Sequence, residues 1–187
     1  MKSGMMSFDN LFSYIRQYPE IPHKDEIEFV GFKDLYLNLV DSVPNLPGWY
    51  AWIRADGTIK KVIYIGQSQT RKIASLQARL KEEFLDEYVA LWATIWDSDK
   101  VVGTLDQKYH GKYTASIKRS ARKAGTTHIV WVGRTNLTDQ ELDVVEHLLI
   151  AKYNPPANRQ TRNHTTSFPE LFDEADKTLK SEIDRLV

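Results

Sequence analysis

Gly48-Trp49-Tyr50-Ala51-Trp52-Ile53 and Val62-Ile63-Tyr64-Ile65-Gly66 are the stretches on which the fold turns. Both are rich in β-branched and aromatic residues, and Asp56-Gly57 between them is a strong hairpin signal, so they read as two antiparallel strands. Side chains alternate between the faces of a strand, so a tyrosine near the same end of each strand sets Tyr50 and Tyr64 side by side. On the hairpin alone, the plainer reading is two amphipathic strand residues with buried rings and hydroxyls at the rim.

Three polar residues follow in order. A helix with Leu76, Leu80, Phe84 and Tyr88 on one face carries Arg79 in its first turns, close to the end of the second strand. Thr138 to Glu141 matches a capping box before Leu142, Val145, Leu149 and Ile150, so a well-marked helix carries Glu146 near its buried face. Asn154-Pro155-Pro156 stops that helix, and Asn158 lies in the loop beyond it. Each has a plain alternative. Glu82 and Glu83 are within reach of Arg79 for helical ion pairs, Glu146 could pair with an arginine instead of a metal, and Asn158 suits a turn. Arg71, nearer Gly66, competes with Arg79.

With Gly48-Trp49-Tyr50 in the place of Gly-Ile-Tyr, Tyr64-Ile65-Gly66 matching Tyr-Ile-Gly, and Arg79, Glu146 and Asn158 in order, the chain resembles the GIY-YIG nuclease family. The resemblance covers roughly residues 47 to 160, with an interruption in the middle. It implies an α/β (α+β) fold, with a small three-stranded, mainly antiparallel sheet flanked by helices, and metal-dependent hydrolysis of DNA phosphodiesters. Tyr50 would be the general base, its phenol acidified by Arg79 and a metal. Tyr64 would position water or phosphate, Arg79 would grip the scissile phosphate, and Glu146 would hold one Mg²⁺ or Mn²⁺. Asn158 would orient neighbouring groups, and Gly48 and Gly66 are motif glycines, Gly66 permitting close backbone approach. The family often has a histidine one turn after the arginine. Glu83 stands there, which leaves His110, Lys112 or His147 as the helper base.

Composition agrees with one soluble domain bearing additions: at 42% hydrophobic and 27% charged, 187 residues suffice for one full α/β core. No apolar run approaches the length of a membrane span, and the N-terminus lacks a signal-peptide core, so the cytoplasm is the expected location. With no cysteine, any metal must be held by oxygen or imidazole. The net charge of +0 hides a local excess: Lys100, Lys108, Lys112, Lys118, Arg119, Arg122, Lys123 and Arg134 face one acidic residue, Asp106, over that span.

Residues 1–46 read as an N-terminal extension. Within it are a helix behind Ser7 closed by Pro19, a loop at Pro19, Pro22 and His23, a short strand from Ile27 to Val30, and a helical pattern at Leu35, Leu39 and Val40. It either braces the hairpin or joins a DNA-binding surface. Residues 47–160 form the nuclease-like domain. Its basic insertion, about 97–126, is irregular from Asp97 to Leu105 and helical from Thr114 to Ala124. Lys108, Lys112, Lys118, Arg119, Arg122 and Lys123 are its expected phosphate contacts, the alternative being a solvated basic face. His128 to Val132 reads as the third strand. Residues 161–187 read as a C-terminal helix begun by a capping-box match at Ser167 to Glu170, packing on the core or mediating a homodimer.

The leading expectation is a restriction-like endonuclease of duplex or branched DNA, with a repair or mobile-element nuclease as its nearest variant. The rival from another class is a non-catalytic nucleic-acid-binding module of the same fold. A small-molecule enzyme has no phosphate-cradling glycine loop or zinc-spaced histidine pair behind it.

Overall fold

The computed structural model describes residues 1–17, 31–70, 73–86, 88–158 and 167–186. Strands β1 (Lys2–Ser7), β2 (Gly48–Asp56), β3 (Ile59–Gln67) and β6 (His128–Gly133) form one antiparallel sheet in the order β1-β6-β2-β3, and β4 (Gln69–Thr70) pairs separately with β5 (Ile73–Ala74). The expected hairpin is β2–β3, turning at Gly57. The sheet has four strands instead of three, because the N-terminus supplies β1 against the far side of β6.

Alternation along β2 sends Tyr50 and Trp52 to one face and Trp49, Ala51 and Ile53 to the other. Among the described residues, six helices lie on the Tyr50 face: α1 (Asp9–Ile15), α2 (Phe32–Val40), α3 (Leu76–Asp86), α4 (Tyr88–Ile95), α5 (Ser98–Lys108) and α6 (Thr114–Ala121). The other face is covered by α7 (Asp139–Tyr153) and α8 (Pro169–Asp184). The result is a helix-sheet-helix sandwich with both faces of the sheet buried.

The N-terminal segment packs on the hairpin. Phe8 meets Trp52 and Phe84 edge-on, at 5.4 and 5.7 Å between ring centroids, and Phe32 of α2 reaches Trp92 at 5.4 Å. The expected loop at Pro19, Pro22 and His23, the strand from Ile27 to Val30, and Arg71 lie outside the described residues.

Three expectations need correction. Asp97 to Leu105 is not irregular: Asp97 caps α5, accepting from the backbone N–H groups of Asp99 and Lys100 at 3.0 Å each, and Val101 and Leu105 bury its inner face. The helix from Thr114 ends at Ala121 instead of Ala124. The capping box at Ser167 is absent, for α8 starts behind a left-handed Phe168 with Pro169 in its first turn. The box at Thr138 and Glu141 forms as expected, with both reciprocal bonds in place.

Candidate active site

Tyr50 stands opposite Gly66 on the neighbouring strand, and its ring lies across that glycine. A Cβ on Gly66 would come within 2.5 Å of the Tyr50 hydroxyl and ring, so the glycine is required by space. Gly48 is required for the same reason, since a Cβ there would overlap the Val132 carbonyl and the Gly133 Cα. Tyr64 lies diagonally from Tyr50, with ring centroids 6.2 Å apart.

Arg79, in the first turns of α3, donates from Nε to the Tyr50 hydroxyl at 3.3 Å. The rest of its guanidinium is held by its own helix: one terminal nitrogen pairs with Glu82 at 2.6 Å and the other with Glu83. The helical ion pairs expected as the plain alternative for Arg79 are thus both formed, and the fork that touches Tyr50 is oriented by the two glutamates.

Tyr50 is 0% exposed, and its phenol lies well above the ordinary value. Burial raises it most, with the charge of Glu83 and the neighbouring Tyr64 adding, and Arg79 only partly opposes them. The part of the expected acidification of Tyr50 that rests on Arg79 is therefore outweighed by desolvation. Tyr64, by contrast, is only partly buried.

Glu83 occupies the position expected for a helper histidine, and its partner was not foreseen. Lys123, nominated above as a surface phosphate contact, is 3% exposed and donates to Glu83 at 2.7 Å. Its ammonium sits 3.8 Å from the Tyr64 ring centroid and 4.8 Å from that of Trp52. The sequence held a signal for both residues. Lys123 follows Ile117 and Ser120 at helical spacing, and Glu83 falls on the stripe of Leu76, Leu80 and Phe84, so each charge lies on a buried face. The other helper candidates lie elsewhere: His110 and Lys112 are exposed in the turn between α5 and α6, and His147 lies on α7.

Glu146 reaches the same end of the hairpin from α7, on the opposite face, through Gln67, whose amide donates to its carboxylate at 3.1 Å. Burial pushes this carboxyl up to about 7, with Asp143 adding, while His147, Gln67 and Arg79 oppose the shift. Glu146 thus feels the field of Arg79, although no hydrogen bond or ion pair joins them. Asp143, Glu146 and His147 place one ligand atom each within 4.8 Å of one another. Nδ1 of His147 lies 2.6 Å from the Asp143 carbonyl, to which it donates. The Gln67 Oε1 atom beside Glu146 is buried with no hydrogen-bond partner among the described residues. Hard oxygens, one imidazole and a shortage of positive charge fit a Mg²⁺ or Mn²⁺ ion.

The Asn158 side chain is committed to the backbone. Its Oδ1 accepts from the Ile65 N–H and its Nδ2 donates to the Ile65 carbonyl, both at 2.8 Å. With the Ala157 N–H donating to the Ile63 carbonyl at 3.0 Å, this pins the outer edge of β3 on either side of Tyr64.

Lys108, Lys112, Lys118, Arg119 and Arg122 are exposed along the hairpin made by α5, the turn through left-handed His110 and Gly111, and α6. Tyr113 is 46% exposed beside them, with the Lys112 ammonium 5.2 Å from its ring centroid. Asp106, on the same hairpin, accepts from the Thr114 hydroxyl at 2.7 Å.

The chain matches no family model, no curated protein and no solved structure.

Proposed function

We propose that this protein is a metal-dependent DNA endonuclease resembling the GIY-YIG nucleases, acting on duplex or branched DNA. The observation that carries the reading is the contact of the Tyr50 hydroxyl with Arg79, beside Tyr64 and at the end of the hairpin that Gln67 shares with Glu146. Two phenols, a guanidinium and a carboxylate in need of a cation form a donor set suited to a phosphodiester.

Arg79 meets the scissile phosphate with its planar fork, exchanging the half-exposed Glu82 for a phosphate oxygen while Tyr50 and Glu83 keep its orientation. Tyr64, partly exposed, faces the attacking water and, as the phenolate, accepts its proton and becomes the neutral phenol. Tyr50, sealed in, holds Arg79. The water oxygen bonds to phosphorus as the bond to the 3′ oxygen breaks. Glu146, with Asp143 and His147 nearby, would hold the divalent ion, which when bound polarises the phosphate and stabilises the departing oxygen. The exposed lysines and arginines of the α5–α6 hairpin contact backbone phosphates, which positions the duplex without reading its sequence.

The test is incubation of supercoiled plasmid with the purified chain, in Mg²⁺ or in chelator, alongside Glu146→Ala. Mg²⁺-dependent nicking or linearisation, reduced by about 10²-fold or more in the variant, is expected. Salt-sensitive binding with no cleavage of duplex or branched substrates would replace this reading with a non-catalytic binding module.

A further inference from the structure

The least expected charge in the molecule is Lys123. It lies just past α6, and its backbone is fixed by its N–H donating to the Ser120 carbonyl at 3.0 Å and by its own carbonyl accepting the Thr126 hydroxyl at 2.9 Å. Burying an ammonium among aromatic rings costs several kcal/mol before any pairing, and an apolar side chain of similar volume would fill the place at less cost. A cation held here needs a reason beyond packing.

Two observations supply one. Glu83 carries both Arg79 and Lys123, so the buried cluster holds two cations against one buried carboxylate, with the half-exposed Glu82 at its margin. Without Lys123, Arg79 and Glu83 would close into a neutral pair, and Arg79 could not turn to a phosphate without leaving Glu83 bare. With it, Glu83 stays compensated while Arg79 engages a second anion. The same ammonium sits over the ring of Tyr64, the more accessible tyrosine, where positive charge favours negative charge developing on the phenol oxygen.

We propose that Lys123 is a positioning residue of this site, neutralising Glu83 so that Arg79 keeps its charge for the phosphate and favouring the ionised form of Tyr64, which takes the proton of the water. The inference rests on the nuclease reading and deepens it. It also links the two halves of the protein, because the helix that presents Lys118, Arg119 and Arg122 outward leads directly into the lysine that reaches the tyrosines.

The experiment compares the full-length chain with Lys123→Met, Tyr64→Phe and the double variant Glu83→Gln with Lys123→Met, which removes both buried charges and keeps the fold testable if the single variant unfolds. The first readout is single-turnover cleavage of duplex DNA with Mg²⁺ across pH, together with DNA affinity. Lys123→Met should lose about 10²-fold in rate with affinity nearly unchanged, and the rise of rate with pH should move to higher pH, whereas the double variant, in which Arg79 no longer has Glu83 to satisfy, should recover part of that rate. The second readout is the ultraviolet absorbance titration of the phenols, without DNA or metal. The component absent from Tyr64→Phe should move to higher pH in both lysine variants. A double variant with wild-type stability and an unmoved Tyr64 component, or one no faster than a folded Lys123→Met, would overturn the proposal, leaving Lys123 only a counter-charge for Glu83. A wild-type chain that does not cleave DNA would remove the nuclease reading, while the absorbance titration would still decide whether Lys123 acts on Tyr64.

Discussion

Two glutamates, one buried and one half-buried, reach the hairpin from opposite faces of the sheet, and their surroundings differ. Glu83, on the Tyr50 face, is 3% exposed and paired with both Arg79 and Lys123. Glu146, on the other face, accepts from the neutral amide of Gln67, and burial pushes its carboxyl up to about 7. Both carboxylates lose water, but Glu83 is held in two ion pairs, whereas Glu146 is offset only in part, by Gln67 and the fields of His147 and Arg79. A compensated carboxylate belongs to the scaffold of a site. An under-compensated one, beside an imidazole and an unpartnered amide oxygen, is suited to take its cation from solution.

The largest effect expected from this contrast is on stability. Glu83→Gln leaves the Lys123 ammonium buried without a counter-charge, and the loss should be about 3–5 kcal/mol. Urea denaturation would show it as a lowered midpoint with an unchanged slope. A loss under about 1 kcal/mol would mean that water reaches the cluster and that the two glutamates differ less than their burial implies.

Gly66→Ala tests how tightly the Tyr50 face is filled. The new Cβ would meet the Tyr50 ring and hydroxyl at 2.5 Å, and Tyr50 is packed among buried side chains, so the ring can move only by pushing Arg79 aside. A loss of about 1–3 kcal/mol is expected, as for other overpacked cores, together with loss of cleavage. A crystal structure of the variant with Tyr50 unmoved would show slack on a face described here as full.

Glu146→Gln should have a smaller effect of opposite sign. The amide oxygen can still accept from Gln67, while the cost of a half-buried carboxylate disappears, so stability at neutral pH should rise by about 1 kcal/mol as cleavage is lost. Added Mg²⁺ should raise the melting temperature of the wild type and not that of the variant. Equal shifts in the two proteins would place the ion elsewhere.

Much of this contrast was legible in the sequence, and the unread part has a consistent cause. The strands β2, β3 and β6 announced themselves through Trp, Tyr, Val and Ile. Lys2-Ser3-Gly4-Met5-Met6-Ser7 has no β-branched residue, and it is a strand because β6 offers it a partner edge, with Gly4 leaving room for the Trp131 ring. Asp97-Ser98-Asp99-Lys100 looked like a loop because polar residues that cap a helix also make turns. Tyr50, Tyr64, Arg79 and Glu146 are nominated by motif order, and the fold sets the first three side by side with Glu146 joined to the hairpin through Gln67. Glu83 and Lys123 were not, because charge type was allowed to decide exposure where helical spacing put both residues inside. Asn158 was found in the right place, but its amide serves the backbone of Ile65, a use that no linear pattern distinguishes from site chemistry.

The smallest effect concerns the tyrosine that the compensated face encloses. Burial, Glu83 and Tyr64 hold the Tyr50 phenol well above its ordinary value, with Arg79 only partly opposing them, whereas in the unfolded chain it titrates near about 10. In the window above that value the unfolded state releases a proton that the folded state keeps. The contribution of Tyr50 to stability is therefore fully present below about pH 10 and is lost as pH rises further, by at most about 1.4 kcal/mol per pH unit. Tyr50→Phe should flatten the alkaline limb of stability against pH by that one-proton slope. It should also lower stability at neutral pH by about 1 kcal/mol, because the hydroxyl that accepts from Arg79 is gone. Tyr153, whose phenol is likewise raised by burial with Asp176 adding, serves as the control, since Tyr153→Phe should remove a separate part of the same limb. An alkaline limb identical in wild type and Tyr50→Phe would mean that the phenol ionises in the folded state as readily as in water. The contrast would then invert, with Arg79 and Lys123 holding Tyr50 ready to ionise as the general base first expected of it.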